Sequence, residues 1–235
     1  MPIAWRLPPL PLARLRVPDV LRAGLAAALW LWAGPSPAWD DARLAAAARS
    51  SGPQAAAALP ALRRLLQEGV RQNDTDRLAA VNPFFNLRLA FREDQEIWGQ
   101  PDYWASPLEA LEKGAGDCED IAIAKYFALL AMGMPAEKLR LLYVRATQLP
   151  GVPAGTPVPH MVLAYYPSPQ AEPLILDNLV PEVLPAGRRT DLTPVFSFNS
   201  DGLWRGAQGG SAGDPTARLS PWRTVQDKAR REGFR

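Results

Sequence analysis

"GAGDCEDIAIAKYFALLAMG", residues 114–133, carries the only cysteine of the 235-residue chain, Cys118, set among Asp117, Glu119 and Asp120. From Ile121 to Met132 every residue is apolar except Lys125 and the hydroxyl of Tyr126. The pattern predicts a helix from about Asp117 to Met132, closed by Gly133 and buried nearly all round. Only its N-terminal end is expected to reach solvent. A helix N-terminus favours a thiolate through its dipole, whereas neighbouring carboxylates oppose one. Acids in a first helical turn are ordinary, because the same dipole favours them. Three of them around a thiol also repel one another, and one divalent cation on Asp117, Glu119 and Asp120 relieves both effects. An oxygen-only ligand set points to Ca²⁺ before Zn²⁺, since no histidine is left over for the metal.

Upstream, residues 39–71 are rich in Ala and Leu and break at Ser51, Gly52 and Pro53, which predicts two helices. A third helix starts near Asp74 and carries Leu78, Val81, Phe85 and Leu89 at steps of three and four, with Pro83 expected to kink or split it. Ser106 and Pro107 read as the cap and first position of a short helix that Gly114 ends. Downstream, "KLRLLYVRA" (138–146), "HMVLAYY" (160–166), "EPLILDNL" (172–179) and "PVFSFN" (194–199) read as strands. Residues 206–214 read as a flexible loop, followed by a terminal helix anchored by Trp222. Helices first and strands afterwards imply an α+β domain.

Apolar residues make up 48 % of the chain, as in ordinary globular proteins. Four of its 26 basic and one of its 24 acidic residues fall in the first 38, which leaves 22 against 23 beyond them. That balance excludes a nucleic-acid footprint. Residues 1–38 combine an Arg-bearing leader, the eleven-residue run "AGLAAALWLWA" and small residues at Ser36 and Ala38, the pattern of an export signal. The run is shorter than the roughly 20 residues that span a bilayer, so no stable membrane insertion is expected once the signal is removed; a buried N-terminal helix and, given the long leader, an uncleaved signal anchor are the alternative readings. The expected organisation is therefore a signal over 1–38 and one domain over 39–235, with a helical part (39–113), a catalytic core (114–205) and a C-terminal loop and helix (206–235). A single cysteine cannot staple an exported domain, which favours a chemical use for Cys118.

His160 is also the only histidine. Thiol hydrolases need an imidazole in reach of the nucleophile and a third group that fixes its tautomer. A hairpin centred near Ser168 places residues summing to about 337 opposite each other, and His160 and Asp177 satisfy this. Asp191, past a Pro- and Arg-rich loop, is the competing acid. The backbone N–H of Cys118, with Trp98 or Trp104, is the candidate oxyanion donor set.

"VNPFFN", "WGQPDYWASPLEALEKGAGDCEDIAIAKYFALLAMGMP", "KLRLLYVRA", "HMVLAYY", "LILDNL" and "DLTPVFSFNSDGLW" together resemble the bacterial transglutaminase-like cysteine proteinases of the LapG type. The resemblance spans about residues 74–205. It implies a papain-like or transglutaminase-like fold, with the Cys-bearing helix packed on an antiparallel sheet. It further implies a Cys118–His160–Asp177 triad, calcium on Asp117, Glu119 and Asp120, and a periplasmic location. The implied partners are a large biofilm adhesin, cut near its N-terminus, and the periplasmic domain of an inner-membrane cyclic di-GMP receptor. A transglutaminase-like acyl transferase with the same triad and a non-enzymatic receptor-binding module are the alternative readings.

Overall fold

A computed structural model describes residues 39–148 and 151–234. The expected export signal, residues 1–38, lies outside the described residues. Three helices come first: α1 (Asp41–Ser51), α2 (Pro53–Gly69) and α3 (Asp74–Asn86). Pro53 starts α2 after the break at Gly52, because a proline N–H would have no intrahelical acceptor there. Contrary to one expectation, α3 runs through Pro83 without splitting and ends at Asn86. So close to the helix end Pro83 forfeits a single ladder bond, and its carbonyl still accepts from Leu87 N at 3.0 Å. Leu89 is buried but lies beyond the helix.

Two short strands, β1 (Ala90–Phe91) and β2 (Ala115–Gly116), pair in parallel and flank α4 (Asp94–Ile97) and α5 (Pro107–Lys113). Ser106 and Glu109 form a capping box on α5, and Gly114 closes it at φ 60°, a conformation that favours glycine. The Ser106 hydroxyl also bonds the Glu232 carboxyl, whose other oxygen accepts from Leu108 N at 3.2 Å. Ser106→Ala removes a cap and strands a buried carboxyl, so a loss of about 2 kcal/mol is expected in urea melts.

α6 (Cys118–Ala131) is the central helix, and all its residues from Asp120 to Leu129 are buried. It packs on a seven-stranded antiparallel sheet made of β3 (Leu139–Ala146), β4 (Val158–Tyr165), β5 (Leu174–Leu176), β6 (Leu184–Pro185), β7 (Leu192–Phe198), β8 (Leu203–Arg205) and β9 (Ser211–Gly213). The spatial order is β6-β5-β4-β3-β7-β8-β9. Side chains alternate with period two: Leu139, Leu141, Met161, Leu163 and Tyr165 join the helical core, while Leu142, Val144, Val162, Ala164 and Ile175 form a smaller one. The segment expected as a flexible loop holds β9, which pairs with β8. Its Ser, Ala and Gly side chains carry no strand signal, so the backbone pairing is invisible in the residue types.

After α7 (Pro215–Arg218), helix α8 (Ser220–Glu232) closes the fold. Its Trp222 is fully buried among Tyr126, Phe127 and Phe198, with ring centroids 5.5, 5.8 and 5.2 Å away. The mixed α+β architecture is thus the one the sequence predicts. Among the described residues no helix is long and apolar enough to cross a membrane.

Candidate active site

The β1–β2 pairing leads the chain directly into α6, with Asp117 as N-cap and Cys118 as the first helical residue. A Cβ on Gly116 would lie 2.7 Å from Asp120 Cβ, so only glycine lets the chain pass this close to the helix start. Cys118, Glu119, His160 and Met161 line one cavity of about 220 Å³, together with Asp102, Trp104, Tyr143 and Pro159. Trp104 therefore stands at the cavity. Trp98 is not among its lining residues and packs against Tyr103, with ring centroids 4.3 Å apart and the planes tilted by 31°.

His160 Nε2 lies 2.9 Å from Asp177 Oδ1. Both residues are buried, at 4 % and 1 % exposure, so little water competes for this contact. β4 and β5 pair Leu163 with Leu176 and Ala164 with Ile175, two residues off the hairpin arithmetic. His160 and Asp177 are consequently diagonal, not directly opposite. A slip of two keeps the side-chain parity, which is why the pairing survives it. The two asparagines of "VNPFFN" hold the segment after β5: Asn86 Nδ2 donates to Asp177 O at 2.8 Å and Asn82 Nδ2 to Pro181 O at 2.7 Å. Asn82 Oδ1 in turn accepts from Lys125 Nζ at 2.7 Å. That bond explains the lone cation of α6, whose ammonium burial pushes down to about 7.

Burial by itself would raise the Asp177 carboxyl. The bond and charge of His160, the N–H of Leu179 and the charge of Arg189 outweigh it and hold the group at about 2. Asp177 is an anion at any working pH. The expected competitor, Asp191, instead binds Arg189.

Cys118 tells a different story. Burial, then the charges of Glu119 and Asp117, push its thiol up, and Sγ donates to Glu119 Oε2 at 2.9 Å. The Met161 N–H, which favours the thiolate, is outweighed.

A profile described as "Bacterial transglutaminase-like cysteine proteinase BTLCP" matches residues 62–193. The solved structure of Legionella pneumophila LapG is 36 % identical, with a TM-score of 0.69 over 83 % of this chain and 99 % of that one. The chain belongs to the bacterial transglutaminase-like cysteine proteinases. Two further solved forms match it: L. pneumophila LapG treated with EGTA (34 % identity, TM-score 0.70, 83 % and 100 % coverage) and calcium-bound (36 %, 0.68, 80 % and 98 %). No curated protein matches.

In this proteinase chain, carboxylate oxygens of Asp94, Asp117 and Glu119 lie within 4.8 Å of one another. Asp94 escaped the sequence reading because two-residue strands bring it beside Asp117. β1 and β2 align Phe91 with Gly116, and Asp94 and Asp117 follow them. The only signal in the sequence was a surplus of acids in "EDQE". Asp120, expected among the ligands, is not in this group, and its Oδ1 accepts from Ala105 N at 2.7 Å. Burial first, then mutual repulsion, raises the Asp117 carboxyl well above its ordinary range. One oxygen each of Asp94 and Asp120 is buried without a hydrogen-bond partner. Unpartnered buried oxygens in a hard, anionic set fit a divalent cation such as calcium.

Proposed function

We propose that this chain is an exported, calcium-dependent cysteine endopeptidase that cleaves the N-terminal region of a large surface adhesin and so releases it. The observation that carries the reading is the hydrogen-bonded His160–Asp177 pair beside the cavity that Cys118 lines. With Nε2 engaged by Asp177, Nδ1 of His160 is the nitrogen left for the thiol proton. Cys118 Sγ attacks the peptide carbonyl, His160 takes the thiol proton and returns it to the leaving amine, and Asp177 keeps the imidazole in that tautomer. The backbone N–H of Cys118, which has no intrahelical acceptor at the first helical position, and Trp104 face the developing oxyanion.

Asp94, Asp117 and Glu119 are the proposed calcium ligands, with Asp120 in support. Calcium there supplies charge neutralisation at the start of α6, in keeping with the calcium-bound form of the LapG relative. The adhesin substrate, the regulating cyclic di-GMP receptor and the periplasmic location follow the resemblance of the motif set. A cavity of about 220 Å³ at the thiol suits small side chains at the scissile bond.

The test is incubation with the N-terminal segment of a large adhesin from the same genome, with calcium or with chelator, beside Cys118→Ala as the blank. Cleavage that requires both the thiol and calcium is expected. Products that incorporate an added amine turn the reading to acyl transfer, and an intact substrate held in a stable complex turns it to a binding module.

A further inference from the structure

Arg189 is a charged residue beside Asp177 that takes no part in the proton transfer. It follows a short 3-10 turn (Ala186–Arg188) and is 6 % exposed. Its Nη2 donates to Asp177 Oδ2 at 2.8 Å and to Asp191 Oδ2 at 2.8 Å, while Nε donates to Asp191 Oδ1 at 3.0 Å. Asp191 is itself tied to the sheet, because its carbonyl accepts from Thr147 N at 3.0 Å and Thr147 Oγ1 at 3.2 Å. On the other side of Asp177, Oδ1 accepts from Leu179 N at 3.1 Å and meets His160 Nε2. Each carboxylate oxygen of Asp177 therefore has an assigned partner, and rotation about the terminal torsion breaks bonds at both.

Resting on the proteinase reading above, we propose that Arg189, braced by Asp191, is a positioning residue: it fixes the Asp177 carboxylate toward His160 and limits the negative charge that the imidazole meets. The charges show why the second part matters. Asp177, Arg189 and Asp191 together carry one net negative charge, which a protonated His160 balances. Without the guanidinium the imidazole faces two negative charges and holds its proton more tightly. A general base that must hand the same proton to the leaving amine loses rate when it holds it too well. The other charged groups around the pair are Lys125 from α6, which feels the Asp177 charge, and Glu119 and Asp102 at the cavity. None of the three bonds to the Asp177 carboxylate.

The chain has one histidine, so the imidazole of His160 can be titrated alone by NMR on histidine-labelled protein. The measurement is made in calcium-containing buffer and in a Cys118→Ala background, which removes the thiol from the titration. Arg189→Gln is expected to move the His160 midpoint upward by about one pH unit, and Asp191→Asn, which removes a negative charge, to move it downward by less. In the parent with its thiol, Arg189→Gln is expected to lower kcat by roughly 10- to 100-fold at nearly constant KM, with Arg189→Lys restoring part of the loss. His160 midpoints that coincide with the parent's in cooperatively melting Arg189→Gln and Asp191→Asn proteins overturn the proposal. If Arg189→Gln does not fold, Asp191→Asn carries the midpoint comparison and Arg189→Lys the comparison of kcat. The NMR arm needs no proteolysis, so an absence of cleavage by the parent refutes the proteinase reading and leaves this result standing.

Discussion

Asp177→Asn is expected to lower kcat by about 10³- to 10⁴-fold while the protein still folds. The size of the effect follows from the partners of the carboxylate, His160 and Leu179 N at Oδ1 and Arg189 at Oδ2. The charge-assisted bond from Arg189 at Oδ2 outweighs the neutral Leu179 N–H at Oδ1, so an asparagine turns its carbonyl oxygen to the guanidinium and its NH₂ to His160, giving up the Leu179 bond. Nε2 must then accept, the ring proton moves to Nδ1, and the nitrogen proposed to receive the thiol proton can no longer take it. The folded protein also loses an anion. Asp177 titrates at about 2 in the fold against an ordinary value of 3.8, a contribution of about 2 kcal/mol. Because the folded value is depressed, that contribution is present above pH 3.8 and is lost as the pH falls through about 2. Urea melts of parent and variant are therefore expected to differ at pH 7 and to converge toward pH 2. A gap that stays constant down to pH 2 refutes the electrostatic account.

Calcium removal is expected to abolish cleavage and to lower the melting temperature, by an amount that grows with pH. In the ion-free fold, Asp94, Asp117 and Asp120 titrate above their ordinary range, chiefly through burial and then through the charge of neighbouring carboxylates, Glu119 among them in each case. Raised carboxyls stabilise the fold below their unfolded value, near pH 4, and that stability is lost as the pH rises through the folded value. Ion-free protein should thus melt progressively lower between pH 5 and pH 8. Calcium replaces the bound protons, so its binding is expected to release protons and to tighten with pH. At a concentration 100 times its dissociation constant a ligand adds about 2.7 kcal/mol. Asp94→Asn is the informative variant, because its Oδ1 has no protein partner to lose. It is expected to weaken calcium binding by about tenfold or more and to leave the ion-free melting point unchanged or raised, since it removes a repelling charge. Thermal melts across pH with calcium and with chelator, joined to calorimetry in two buffers, read every part of this. A calcium-dependent shift that is the same at pH 5 and pH 8 counts against the cluster as the binding site.

The sequence and the fold divide the site between them along a physical line. Cys118 and His160 are legible because each is the only residue of its kind. The helix that carries the thiol is equally legible, because an apolar run from Ile121 with Asp117 as cap has one low-energy form. Asp177 follows from hairpin parity, and a register error of two leaves parity intact. The helix at Asp74, the capped turn at Ser106 and the anchor at Trp222 belong to the same class of local signals.

Asp94 and Arg189 do not. Asp94 meets Asp117 through a pairing of two residues with two, and β9 joins the sheet through backbone bonds alone. Arg189 reaches Asp177 from a loop, and its partner Asp191 is placed by bonds to Thr147. Residue type, period and spacing determined the core helix, the order of helices and strands, and the proposed thiol–imidazole–carboxylate set, because those rest on local propensity and on a parity that tolerates error. The third member of the acidic cluster and the ion bridge behind Asp177 were decided only by the tertiary structure. Their partners lie across short strands and loops, where the energy that selects the contact comes from burial and charge pairing and leaves no periodic trace in the chain.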